Sequence, residues 1–128
     1  MILGIGMDLC RIERIQTAIC KPHFLARVYT VREQERILEA SEKRRGEIAA
    51  GLFAVKEAVS KALGTGFTDF GFADIEVLPD PSGKPVCTLS GKASEHLTAM
   101  GGETIFVTIT HDSGMAAATA IIEGGTRT

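Results

Sequence analysis

A carboxylate and an ammonium group stand four residues apart on one predicted helix. Glu57 and Lys61 lie within residues 53–66, off a stripe of apolar residues that recur at helical spacing. An acid and a lysine beside a glycine turn suit metal and phosphate chemistry. The same spacing also suits a surface ion pair worth about 0.2–0.5 kcal/mol. On spacing alone the surface ion pair is the simpler interpretation. Residues elsewhere in the chain are needed to distinguish it from a metal or phosphate site.

Two residues far from this helix could join it. Asp8 ends a short strand predicted over 2–8, and His111 follows a strand predicted over 105–110, where a polar loop leaves the sheet. Each has a structural alternative: Asp8 can cap a helix that begins at Leu9, and His111 can be the tip of a plain turn. Two carboxylates from separate elements suit Mg²⁺, which completes its coordination with water and phosphate oxygens. Spacing cannot show that Asp8 and Glu57 converge.

The elements that would position these residues are mostly helical first and extended later. A helix is predicted after Asp8 and ends before Pro22, and a short second helix contains Phe24 to Val28. A capping box, Thr30 with Glu33, predicts a helix to about Ala40. The next helix is predicted from Ser41 through the segment 53–66, where Gly64 and Gly66 end it.

The second half of the chain is predicted to form strands. A hairpin is expected over 73–78 and 86–89, followed by a helix over 91–100, strands over 105–110 and 116–122, and a frayed tail from 124 to 128. Because helices and strands do not alternate as βαβ units, this order predicts an α+β fold in which helices cover a small antiparallel sheet. We expect residues 1–128 to form a single domain.

Composition excludes several classes of protein. The net charge of -2 argues against attraction of the whole molecule to nucleic acid or an anionic membrane. No apolar run approaches the roughly 18 residues of a membrane span, and the first residues lack a basic signal region, so a cytoplasmic protein is expected. The three cysteines show no zinc or disulfide spacing, and no nucleotide-binding loop or hydrolase motif occurs.

Basic residues cluster in two places. One cluster is in the first quarter of the chain and includes Arg11, Arg14 and Lys21, and the other is Lys43, Arg44 and Arg45. Such runs are usually solvated faces, and the alternative is a docking patch for an acidic partner.

Several motifs together resemble one family. The segments are GIGMD (4–8) followed by Arg14-Ile15, FLARVYT (24–30), FAVKEAVSKALGTG (53–66), GKP (83–85) and TITH (108–111). In this order they resemble holo-[acyl-carrier-protein] synthases, the short, group I type of 4'-phosphopantetheinyl transferase, over nearly the whole chain. The implied reaction moves 4'-phosphopantetheine from coenzyme A to a serine of apo-acyl carrier protein and releases 3',5'-ADP, which places the enzyme in fatty acid biosynthesis or polyketide synthesis.

The resemblance also implies roles for the candidate residues. Asp8 and Glu57 would hold Mg²⁺, Lys61 would contact the phosphates, and the base would be either Glu57 or a metal-bound water. His111 would contact coenzyme A near the adenosine phosphates, and Gly64, Thr65 and Gly66 would let backbone amides approach phosphate. Arg11, Arg14 and Lys21 would meet an acidic helix of the carrier protein. Members of the family are typically homotrimers with a site at each subunit interface.

One position departs from the family pattern. Leu52 stands where the family usually has an arginine that is expected to bind the nucleotide phosphates. We hypothesise that Lys43, Arg44 and Arg45, one to two helical turns upstream, compensate. Two other functions use the same residues: a non-catalytic module that binds coenzyme A or the carrier, and a Mg²⁺ phosphohydrolase that uses water as its nucleophile.

Overall fold

The computed structural model describes residues 1–125. It is an α+β fold, as predicted, and residues 126–128 of the predicted tail lie outside the described part. The helices are α1 (Ile12–Ala18), α2 (Pro22–Val28), α3 (Val31–Glu39), α4 (Glu42–Leu63) and α5 (Gly91–Ala99). The strands are β1 (Ile2–Arg11), β2 (Ile75–Pro79), β3 (Pro85–Leu89), β4 (Gly102–Asp112) and β5 (Met115–Gly124).

The strands form two antiparallel sheets. One sheet has the order β1-β5-β4, and the other is the β2-β3 hairpin. In β5 the residues with even numbers are buried, among them Ala116, Ala118, Ala120 and Ile122, and they face the helices. The opposite face of the same sheet carries exposed apolar side chains, so this sheet covers the core on one side only.

The long helix α4 lies against the inner face of the sheet. It carries many small residues, including Ala49, Ala50, Ala54 and Ala58, all fully buried. Small side chains let the strands approach closely: a Cβ on Gly51 would lie 3.0 Å from Cγ2 of Ile109. The helix ends as predicted, because Gly64 takes the left-handed conformation at φ 79°. Helix α4 is therefore the element against which the sheet is positioned.

Strand β1 is longer than predicted. It pairs with β5 as far as Arg11 opposite Met115, and helix α1 begins only at Ile12. The helical spacing of Leu9, Ile12 and Ile15 is real, but the hydrogen bonds between β1 and β5 keep residues 9–11 extended. Asp8 consequently lies within the strand, and the alternative that it caps a helix is wrong.

Candidate active site at the crossing of β1 and α4

Two glycines bring β1 into contact with α4. A Cβ on Gly6 would lie 2.0 Å from the carbonyl oxygen of Ala58, and one on Gly4 would lie 2.1 Å from that of Ala62. No side chain fits between strand and helix at either position. Side chains two residues apart on a strand share a face, so Asp8 also faces α4. The GIGMD segment thus delivers a carboxylate to the surface of the helix that carries Glu57.

Lys61 links the helix to the strand. Its Nζ donates to the carbonyl oxygen of Met7 at 2.9 Å and to Oδ1 of Asp8 at 3.3 Å. Among the described ion pairs Lys61 is paired with Asp8 and not with Glu57, so the simple i,i+4 surface pair is not what forms. The side chain of Asp8 is 18% exposed and that of Lys61 54%, which places the pair at the rim of the crossing.

The Glu57 carboxylate sits in an unfavourable electrostatic environment. Burial raises its pKa, the negative charge of Asp8 raises it further, and Lys61 partly opposes both. The same charges act on the buried thiol of Cys10, whose pKa rises to about 11 through burial, Asp8 and Glu57, with Arg14 opposing. Asp8, Glu57 and Arg14 therefore share one neighbourhood, although Asp8 and Glu57 lie far apart in the sequence.

The carboxylate pair suits a hard divalent cation. Mg²⁺ is commonly held by one or two protein carboxylates, with water and substrate phosphates filling its other positions. Asp8 and Glu57 repel each other across this site, and a dication would remove that repulsion. Residues 1–125 contain no cluster of three or more side chains of the metal-binding types.

His111 lies in a different part of the same sheet face. Asp8 is opposite Ala118 and Ala118 is opposite Ile109, so His111 is two strands across and two residues further along. With usual strand spacings this separates the backbones of Asp8 and His111 by roughly 12 Å. The fold of one chain therefore groups Asp8, Glu57 and Lys61 and leaves His111 outside that group.

His111 lines a cavity of about 250 Å³ between α3, α4, β4 and the hairpin turn. The lining residues include Arg36, Arg44, Glu47, Leu52, Gly83 and His111. Oε1 of Glu47 is 3.7 Å from Nε of Arg44, and Oε2 is 3.8 Å from Nδ1 of His111. The GKP segment and the TITH segment, which were far apart in sequence, meet here.

The other residues proposed to bind coenzyme A lie outside the lining of this cavity. Arg45 donates from Nε and Nη2 to the carbonyl oxygens of Ala40 and Leu38, so its guanidinium holds the connection between α3 and α4. Lys43 is exposed. The amides of Gly64 and Gly66 donate to the carbonyl oxygens of Lys61 and Ser60 and cap the end of α4.

The first basic cluster is on the surface beside the carboxylate pair. Arg11 and Arg14 are exposed and border a surface depression together with Glu13 and Thr17. Lys21 is also exposed but is not part of that border.

Lys56 is a residue whose importance the sequence reasoning missed. It is fully buried and paired with the equally buried Glu33. A signal was present, because Lys56 stands four residues after Leu52 and three before Val59, inside the apolar stripe. A charge at such a position needs a buried partner.

The comparisons with known proteins all point to one family. Residues 4–118 match the model of the 4'-phosphopantetheinyl transferase superfamily. A "Holo-[acyl-carrier-protein] synthase" of Clostridium novyi (strain NT) is 45% identical over 96% of this chain and 88% of its own length. One of Clostridium botulinum (strain Eklund 17B / Type B) is 46% identical over 96% and 98%. The crystal structure of a holo-(acyl-carrier-protein) synthase from Bacillus anthracis str. Ames, in complex with CoA (3',5'-ADP), superimposes with a TM-score of 0.82 at 33% identity, covering 98% of this chain and 99% of that one.

Proposed function

The chain belongs to the 4'-phosphopantetheinyl transferase superfamily, and from this we propose that it transfers 4'-phosphopantetheine from coenzyme A to a serine of an apo-acyl carrier protein. It is a phosphopantetheinyl transferase by its family and its relatives. The observation that carries the proposed reaction is the meeting of Asp8, Glu57 and Lys61 where β1 crosses α4. We take residues 1–128 as one such domain.

The proposed reaction exchanges one phosphorus–oxygen bond for another. The serine oxygen of the carrier attacks the β-phosphorus of coenzyme A, the bond from that phosphorus to the bridging oxygen breaks, and 3',5'-ADP leaves. Lys61 contacts the phosphates as a point charge. Either Glu57 or a water that it positions accepts the serine proton.

Asp8 and Glu57 would hold Mg²⁺. A magnesium ion at this place would offset the negative charge that develops on the leaving phosphate. The chemistry of the two side chains supports this assignment, because a hard dication would neutralise two carboxylates that otherwise repel each other. Asp8 is 18% exposed and Glu57 is half-buried, which leaves room for water and phosphate oxygens on the remaining coordination positions.

The carrier protein would dock beside this crossing. Arg11 and Arg14 are exposed next to the carboxylate pair, and Lys21 is a further exposed cation of the first quarter of the chain. A cationic patch at this place suits an acidic helix that presents a serine to the site, and complementary charge would mainly accelerate association. No helix among residues 1–125 is both long and apolar enough to cross a membrane. We propose that the reaction takes place in the cytoplasm.

Three copies would assemble through the outer face of the sheet. Ile5, Met7 and Leu9 on β1 and Phe106 on β4 are each 46–65% exposed and lie on the face turned away from α4. An apolar sheet face of this kind is typical of an interface between subunits. In a homotrimer with sites at the interfaces, Asp8 and Glu57 of one copy and His111 of another can serve the same coenzyme A.

One assay tests the proposed function. The chain is incubated with coenzyme A, Mg²⁺ and an apo-acyl carrier protein, and the carrier is then weighed by mass spectrometry. We expect a gain of one phosphopantetheine group, abolished by chelation or by Glu57→Ala and retained in Glu103→Ala, which removes an exposed acid at the far end of the sheet.

The alternatives give different outcomes in the same assay. Free phosphopantetheine in the absence of carrier would indicate a phosphohydrolase. Coenzyme A that binds but is never transferred, with any carrier tested, would indicate a binding module.

A further inference from the structure

The cavity beside His111 brings two arginines together from different helices. Arg36 lines it from α3 and Arg44 from α4, and His111 lines it from β4. Its lining also includes the apolar residues Ile48, Leu52 and Ile109. This combination suits a ligand with one anionic group and one flat apolar part.

The charges of this cavity are not balanced. The Glu47 carboxylate is shared between Arg44, at 3.7 Å, and His111, at 3.8 Å. Arg36 forms no ion pair with any of the residues 1–125 and no hydrogen bond to them from its side chain is found. The nearby guanidinium of Arg45 is already occupied by two carbonyl oxygens. Arg36 is therefore the cation of this cavity that lacks an anionic partner.

Holding Arg36 in this place has an electrostatic cost. Burial lowers the pKa of Arg36, and the positive charge of Arg44 lowers it further, while Glu33 only partly compensates. Two guanidinium groups close together in a partly desolvated cleft are stabilised by an anion between them. A phosphate, with oxygens that accept several donors at once, matches the fork of an arginine.

We infer that Arg36 binds the 3'-phosphate of coenzyme A and makes the enzyme select this donor over its dephosphorylated form. The inference rests on the proposed function, in which the diphosphate of coenzyme A binds at the Asp8–Glu57 carboxylate pair. The phosphate that remains for a second cationic site is the monoester on the ribose. The apolar side chains that line the same cavity can then pack against the adenine ring.

Arg36 would take the place of an arginine that the family usually has at position 52. Leu52 is fully buried and forms part of the cavity wall, at the position where the family usually has an arginine. Of the three upstream cations Lys43, Arg44 and Arg45, which we hypothesised to compensate, only Arg44 lines the cavity. The second guanidinium comes from Arg36 on the neighbouring helix α3.

The experiment compares coenzyme A with dephospho-coenzyme A. Dissociation constants for both are measured by calorimetry on the full chain, without carrier, for the wild type, Arg36→Gln and Arg36→Lys. The matched control is Arg32→Gln on the same helix, because Arg32 is 71% exposed, pairs with Glu76 and lies outside the cavity.

We expect Arg36→Gln to weaken coenzyme A binding about tenfold and to change dephospho-coenzyme A binding less than about twofold, since one charge-assisted contact is lost. Arg36→Lys should fall between the two, because lysine keeps the charge but not the fork. Transfer assays should show a higher KM for coenzyme A with kcat nearly unchanged.

The inference is overturned if Arg36→Gln binds both donors as the wild type does, or if it weakens both equally, as a structural defect would. Arg36→Lys gives the same test should the Gln variant not fold. Failure of the proposed function would look different, since the carrier would gain no mass with wild-type protein while the preference for the 3'-phosphate persisted in the calorimetry.

Discussion

Lys56 and Glu33 form an ion pair in which neither side chain is exposed, with 2.8 Å between Nζ and Oε1. Lys56 also donates to the carbonyl oxygens of Phe72 and Ile75, and Oε2 of Glu33 accepts from the amide of Val77. All polar atoms of the pair are therefore satisfied. The pair ties α4 to α3 and β2 one residue before Glu57, and so fixes the rotation of α4 that turns Glu57 toward β1.

Removing the cation of this pair should lower the free energy of unfolding. Lys56→Met leaves the Glu33 carboxylate buried without a partner charge, which typically costs about 3–5 kcal/mol. We expect a loss of this size in urea denaturation. Lys43→Met, an exposed lysine of the same helix, should change the free energy of unfolding by less than about 0.5 kcal/mol.

The double variant Lys56→Met/Glu33→Gln separates charge from packing. It removes both charges and keeps an oxygen that can accept from Val77, so part of the lost stability should return. A double variant less stable than Lys56→Met alone would contradict the explanation by an unpaired charge.

Gly6→Ala should damage both stability and activity. The new Cβ would lie 2.0 Å from the carbonyl oxygen of Ala58 and 2.8 Å from the amide nitrogen of Ala62, and its position is fixed by the backbone, so it cannot rotate away. We expect a cost of about 1–3 kcal/mol and a loss of transfer activity, because β1 must move away from α4 and takes Asp8 with it.

Gly71→Ala is the matched control for this substitution. Its φ is -108°, and a Cβ there meets no atom within 4 Å. Thermal melts and the carrier mass assay on both variants make the comparison. Equal stability of Gly6→Ala and Gly71→Ala would show that the close approach of strand and helix is unimportant.

Glu57→Gln should stabilise the protein at neutral pH while it abolishes transfer. Folding raises the pKa of Glu57 above its ordinary value of 4.5. Between that value and the raised pKa of the folded state, the folded protein binds more protons than the unfolded one, so stability falls as the pH rises through this window. Glutamine removes this cost. We expect a higher Tm than wild type at pH 7, with the difference shrinking as the pH falls toward 4.

The effect of Mg²⁺ on the melting temperature tests the role of Glu57 independently. A dication between Asp8 and Glu57 binds the folded state and should raise the Tm of the wild type at pH 7. The rise should be much smaller in Glu57→Gln. If both proteins respond equally to Mg²⁺, the carboxylate pair is not the metal site.

Met7→Glu tests the outer face of the sheet. Met7 is 63% exposed in the single chain, between Ile5 and Leu9, and a charge at this place should prevent burial against another copy. Sedimentation should show a trimer for the wild type and monomers for the variant. Val31→Glu, at a 70% exposed apolar residue of α3, should sediment as the wild type does.

Local sequence patterns predicted much of the fold. The capping box of Thr30 and Glu33 forms as expected, with Thr30 accepting from the Glu33 amide at 3.3 Å and Glu33 accepting from the Thr30 amide at 2.9 Å. Gly64 ends α4 in the left-handed conformation. These features depend on residues within one helical turn of each other, so they can be predicted from the local sequence.

The sequence by itself determined the α+β class, the helix that carries Glu57 and Lys61, and, through its motifs, the transferase family. Tertiary structure alone decided which side chains meet. It extended β1 past Asp8 by pairing it with β5, it paired Lys61 with Asp8 instead of Glu57, and it brought Arg36 to Arg44. Each of these contacts joins residues of separate elements, and its formation depends on how sheet and helices pack, which no local spacing encodes.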